Sequence, residues 1–241
     1  MSELNAAEVQ QQIAAGAAAL GIALEATQCE RMERYLGLIQ KWNKVYNLTS
    51  VRDPQEMLTH HVLDSLAAVP PLLRQRKAAA ADTAQPFSLL DVGAGAGLPG
   101  VVVAICCPQA SVTCVDTVAK KAAFQQQVAL ELRLPNLKGL HARVETLAGP
   151  FDVVASRAFA SLVDFTHWSV DAVAPGGVWM AMKGKHPLDE LEALPPGIRV
   201  FHVEQLTVPG LDADRCIVWM RKCAADGAAG GAAGGAEGQG A

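Results

Sequence analysis

This chain of 241 residues is short of tyrosine, paired cysteines, long apolar runs and surplus positive charge, and each shortage narrows what it can be. The only tyrosines, Tyr35 and Tyr46, both lie in the N-terminal part. That leaves little for hydride-transfer chemistry built on a paired tyrosine and lysine. The six cysteines (Cys29, Cys106, Cys107, Cys114, Cys216, Cys223) form no C-x-x-C pair and no His/Cys spacing of the zinc-binding kind. They are expected to be reduced core thiols, and no metal site is expected. No apolar run approaches a membrane-spanning length, and the first residues are polar, with Glu3 and Glu8 among them. Neither a membrane span nor a signal peptide is therefore expected, and a cytoplasmic location is. Lysine and arginine number 20 against 24 acids, a net charge of -4. This argues against a protein that coats nucleic acid through a basic face, although Lys41, Lys44, Arg52, Lys120, Lys121, Arg143, Arg157, Lys183, Lys185 and Arg215 fall near predicted loops or element ends.

What the chain does have is a globular composition, 51% hydrophobic and 18% charged. It opens with helical patterns. Val9, Ile13 and Leu20 suit an amphipathic helix ending near Gly21. Thr27-Gln28-Cys29-Glu30 has capping-box form before a second helix, whose stripe of Met32, Leu36 and Ile39 is flanked by Tyr35, Leu38 and Trp42. Asp53-Pro54-Gln55-Glu56 starts another helix with a cap and a first-position proline; Leu58, Val62, Leu66 and Val69 form its buried face, and Pro70-Pro71 is expected to close it. Residues 1–73 thus read as a helical extension and 74–86 as a polar, Ala-rich linker.

From residue 87 the pattern changes to short apolar runs alternating with helical stretches: Phe87 to Val92, Ser111 to Asp116, Leu137 to His141, Phe151 to Ser156 and Gly177 to Lys183. This alternation predicts βαβ units and a mostly parallel sheet. Arg199 to Thr207 and Arg215 to Arg221 are joined by too few residues for a helix, so they predict an antiparallel hairpin at or near the sheet edge. Residues 224–241, nearly all Gly and Ala, are expected to be a disordered tail outside the 87–223 core.

The stretch Leu89-Leu90-Asp91-Val92-Gly93-Ala94-Gly95-Ala96-Gly97-Leu98-Pro99-Gly100 reads as a strand, a ligand-cradling turn and a helix start. Gly95, Gly97 and Gly100 satisfy the dinucleotide fingerprint, with Asp116 about 20 residues on to bind a ribose hydroxyl. Asp91 favours a different cofactor. A carboxylate beside the loop suits a cation and opposes a pyrophosphate, which points to S-adenosylmethionine rather than NAD. The alternatives are an NAD-dependent oxidoreductase and a tight turn with no ligand.

Lys41-Trp42-Asn43-Lys44-Val45-Tyr46-Asn47-Leu48-Thr49-Ser50-Val51-Arg52-Asp53, His61-Val62-Leu63-Asp64-Ser65, the glycine stretch, Ser156-Arg157-Ala158-Phe159-Ala160 and Lys183-Gly184 together resemble the RsmG (GidB) family. The likeness runs from about Leu24 to Lys222 and leaves out the tail and the linker from Lys77 to Ala84. It implies a Rossmann-like class I methyltransferase fold, with a seven-stranded mostly parallel sheet, a C-terminal hairpin and an N-terminal helical extension. The implied activity is S-adenosylmethionine-dependent methylation of guanine N7 in 16S rRNA, acting on the RNA or the small ribosomal subunit as a monomer. By this resemblance Gly93 and Leu98 are cofactor contacts and Val144-Glu145 lie beside the adenine. Arg157 reaches cofactor or substrate, and Arg143 and Arg215 surround the target base.

The chemistry agrees with that residue set. Guanine N7 offers an in-plane lone pair and has no proton to lose, so methyl transfer needs positioning but no general base. Arginine forks onto guanine O6 or a phosphate. No Asn-Pro-Pro-Tyr or Asp-Pro-Pro-Tyr follows the fourth strand, where amino-directed methyltransferases carry it, and no cysteine lies in that loop for attack on a pyrimidine. A methyltransferase acting on a small molecule or protein, and a non-catalytic ribosome-assembly factor, are the other readings. Arg143, Arg157 and Arg215 also suit plain ion pairing. For Trp42 and Tyr46 a core role is favoured over base stacking, and for His60 and His61 one exposed and one packed position.

Overall fold

The computed structural model describes residues 5–79 and 85–223. Helix α1 (Ala6–Ala19) is capped by Asn5, whose side chain accepts the Glu8 N–H at 2.9 Å while the Glu8 carboxylate accepts the Asn5 N–H. Helix α2 (Ala26–Tyr46) starts slightly earlier than its sequence signal, because the Glu25 N–H donates to Gln28 Oε1 at 2.9 Å and makes Thr27 already helical. It buries Met32, Tyr35, Leu36 and Ile39. After α3 (Pro54–Met57), capped by Asp53, one π turn (Leu58–Leu63) leads into α4 (Asp64–Ala67). Pro70 and Pro71 do not close the helical region. They occupy the first turn of α5 (Val69–Ala79), where a missing N–H costs nothing. The expected linker is therefore helical through Ala79, and 80–84 lie outside the described residues, as does the expected tail.

The strands follow in alternation with helices: β1 (Phe87–Val92), α6 (Gly100–Cys106), β2 (Ala110–Asp116), α7 (Ala119–Glu131), β3 (Leu137–His141), β4 (Phe151–Arg157), α8 (Leu162–Trp168), β5 (Val173–Lys183), α9 (Leu188–Glu192), β6 (Ile198–Leu206) and β7 (Arg215–Lys222). The seven strands form one sheet in the order β3-β2-β1-β4-β5-β7-β6. β7 runs antiparallel to both of its neighbours, β5 and β6, and the other pairings are parallel. The predicted hairpin is thus the sheet edge.

One face of the sheet and the N-terminal helices share a continuous core containing Ile13, Tyr35, Leu66, Leu89, Val112 and Phe124. The other face packs Leu90, Val154, Phe165 and Trp179. Not every cysteine is a core thiol: all six are free, but Cys223 is exposed. Among the described residues no helix is long and apolar enough to cross a membrane. Strand order reverses between β1 and β4, and in such sheets the ligand crevice opens beyond the carboxyl ends of the strands at that point.

Candidate active site

A cavity of about 380 Å³ lies at that crevice, lined by Gly93, Asp116, Val118, Arg143, Val144, Glu145, Phe159 and Trp168 among others. Gly93 sits at φ +64°, and a Cβ there would fall 2.1 Å from Phe159 Cδ2. Only glycine fits between the strand end and that ring. Asp116 is buried under the cavity floor. Its Oδ2 accepts the Gly95 N–H at 3.0 Å and its Oδ1 the Val118 N–H at 2.9 Å. A carboxylate has about four lone-pair sites, so acceptor capacity remains for a ligand hydroxyl. Glu145 is held below the usual carboxylate range by a backbone N–H and by Arg143, whose Nη2 lies 2.6 Å from Glu145 Oε1.

Asp91 does not face the cavity, contrary to its reading as the partner of a cationic ligand. It is fully buried, and its Oδ2 accepts the Gly100 N–H at 2.8 Å, tying the start of α6 to β1. A Cβ on Gly100 would come within 2.9 Å of that oxygen. Burial pushes the Asp91 carboxyl up to about 7. The acids that do line the cavity are Asp116 and Glu145. Gly95, Gly97 and Leu98 shape the loop without being among the lining residues.

Two side chains that the sequence did not assign to the site hold this loop. Tyr35 of α2 donates its hydroxyl to the Ala96 carbonyl at 2.6 Å, and Gln125 of α7 donates to the Gly95 carbonyl at 3.0 Å. Trp42 packs edge-on against Phe124, and its ring centroid lies 5.2 Å from that of Tyr46. The Asn43 side chain accepts the Thr49 N–H and that of Asn47 accepts from Arg52, and none of these three residues lines the cavity.

Arg157 and Arg215 line a second, smaller cavity of about 280 Å³ with Asp64, Met182 and Lys183. Ala158 borders both cavities. Asp64, only 2% exposed, stands between the two arginines. Arg157 Nη1 lies 2.9 Å from Asp64 Oδ2, and Arg215 Nε lies 2.8 Å from Asp64 Oδ1. Arg143 is 71% exposed and belongs to the first cavity, so the structure separates it from the other two arginines. Lys183 is taken up by Glu190 and the Ala160 carbonyl. His60 is half-buried and His61 buried.

The family model described as rRNA small subunit methyltransferase G matches residues 28–218. The chain belongs to that family. A ribosomal RNA small subunit methyltransferase G from Acidovorax sp. (strain JS42) is 64% identical over 226 residues, covering 93% of this chain and all of that one. Another from Polaromonas sp. (strain JS666 / ATCC BAA-500) is 65% identical, over 90% of this chain and 96% of its own. Among solved structures, a SAM-dependent methyltransferase from Aquifex aeolicus shares the fold. It has a TM-score of 0.50 at 17% identity, over 72% of this chain and 96% of that chain. This member of the methyltransferase G family is an enzyme that takes its methyl group from S-adenosylmethionine. The preference for a sulfonium cofactor over NAD holds, but the acids facing the cavity are Asp116 and Glu145 rather than Asp91.

Proposed function

We propose that this enzyme methylates N7 of a guanine in 16S rRNA of the small ribosomal subunit, in the cytoplasm and as a monomer. The observation that carries the reading is the pair of adjoining cavities. One is lined by Gly93 of the glycine loop and two acids; the other is lined by two arginines; Ala158 borders both. The residues of the first cavity fit S-adenosylmethionine. Asp116 receives the ribose hydroxyls, Val144 and Glu145 flank the adenine, and Gly93 leaves room beside the loop that Gly95, Gly97 and Leu98 shape. Bound there, the cofactor supplies a methyl group on a sulfonium.

The protein's own part is positioning. Arg157 and Arg215 present fixed donors to a guanine O6 or a neighbouring phosphate, which leaves N7 free to face the first cavity. Arg143, exposed at the rim, meets the flanking backbone. N7 carries no proton, so no side chain has to act as a base, and among the described residues neither cavity is lined by a histidine.

The test is incubation of purified protein with S-adenosylmethionine and 16S rRNA, or small subunits, from cells lacking this gene, followed by nucleoside mass spectrometry. New 7-methylguanosine is expected, and its absence with both substrates overturns the acceptor assignment. Comparing the naked RNA with the particle shows which form is used.

A further inference from the structure

We propose that Asp64 is a positioning residue of the transfer reaction, joining Arg157 and Arg215 into one preformed acceptor clamp; this rests on the functional reading above. The two arginines come from strands with β5 between them, Arg157 from the end of β4 and Arg215 from the start of β7. Asp64 belongs to neither. It opens α4 in the helical extension, immediately after the π turn, a distortion that recurs at functional sites. Its two oxygens are divided, one to each guanidinium, at 2.9 and 2.8 Å.

The remaining bonds fix orientation further. Arg157 Nη1 also donates to the His60 carbonyl at 2.7 Å, and Arg215 Nη1 to the Asp214 carbonyl at 2.8 Å. Among the described residues this leaves Nη2 of both arginines, and Nε of Arg157, without a protein acceptor. Yet the arginine side chains are only 21% and 22% exposed, and both border the second cavity. One carboxylate between two guanidiniums leaves the cluster with an excess of one positive charge. A purely structural pair needs neither that excess nor spare donors on side chains that line a cavity, and buried ion pairs are in general weak sources of stability. Such an arrangement suits an external oxygen-rich ligand, with Asp64 keeping two like charges close enough to act on it together.

The experiment uses the full chain and three readouts: S-adenosylmethionine affinity by calorimetry, single-turnover methyl transfer to the rRNA substrate, and NMR of the arginine Nε–Hε signals. In Asp64→Asn the transfer rate is expected to fall about 100-fold, while cofactor affinity stays within about twofold, because misplacing reacting groups by an ångström costs on that order. The Arg157 and Arg215 signals should both shift and broaden. In an Arg157→Ala background, Asp64→Asn should add less than its full loss in the wild type, since part of its effect runs through Arg157 and only the Arg215 contact remains. A wild-type rate in Asp64→Asn, losses that multiply in the double variant, or unmoved arginine signals each overturn the proposal. If Asp64→Asn does not fold, Asp64→Glu replaces it: a partial rate supports the clamp, and a wild-type rate overturns it. If the wild-type enzyme leaves 16S rRNA unmodified, the acceptor assignment fails by itself, while the NMR comparison still decides whether Asp64 orders the arginines.

Discussion

Gly93 shows how little room the cofactor cavity leaves at a single residue. In Gly93→Ala the left-handed backbone costs about 1–2 kcal/mol, and the new methyl also collides with Phe159. Strain alone is the same with and without ligand, but the collision displaces Phe159, which lines the cavity, so cofactor affinity should fall about tenfold, the equivalent of about 1.4 kcal/mol; calorimetric titration measures it, and an unchanged Kd would rule out a ligand beside this glycine. Asp91 and His61 act on stability with opposite signs. With its pKa raised to about 7 by burial, Asp91 keeps a proton in the folded state that the unfolded chain releases near the ordinary 3.8, so its contribution falls as pH rises between those values. Burial, aided by the Arg157 charge, lowers His61 to about 4. The folded ring stays neutral where the unfolded one is charged, and its contribution rises as pH climbs from about 4 to 6.5. Replacing Asp91 with Asn removes only the first. Relative to wild type, that variant should gain stability between about pH 5 and pH 7 in chemical denaturation, and a relative loss would contradict the buried-acid assignment.

At the level of elements, the glycine loop is an object held from several sides. Tyr35, Gln125, Asp116 and Asp91 each bond a different part of its backbone. Tyr35→Phe leaves the Ala96 carbonyl without its 2.6 Å donor. It should cost about 1–3 kcal/mol of stability and weaken cofactor binding, read by thermal denaturation with and without S-adenosylmethionine; no change in either would remove Tyr35 from the support of the loop. The loop itself was legible because its glycines and acids are close in sequence and each answers to a local geometry. The strands were legible for the same reason, with β1 and β3 falling on their expected residues. The supports were not. Tyr35 meets its partner 61 residues away and Arg157 meets Asp64 across 93, and no periodicity encodes such pairings. Asp91 misled because a carboxylate at a strand end looks the same whether it faces a ligand or caps the next helix.

Across the whole molecule, the helical extension and the sheet are not separable bodies, since one apolar cluster runs through both. A fragment of residues 85–223 would expose the face that Ile13, Met32, Ile39 and Leu66 cover. It should fail to give a cooperative thermal transition, and sharp, reversible unfolding of that fragment would show that the extension is dispensable for folding. The change in pattern at residue 87 therefore marks a change of secondary structure, while the core continues across it. The distribution of the four tryptophans has an optical consequence. Trp179 and Trp219 are fully buried, and Trp42 packs on Phe124, whereas Trp168 is half-buried on the wall of the first cavity. An adenine entering beside Val144 would alter the surroundings of this indole far more than those of the others. Changes in emission on titration should therefore vanish in Trp168→Phe, which would make this side chain a built-in fluorescent gauge of cavity occupancy.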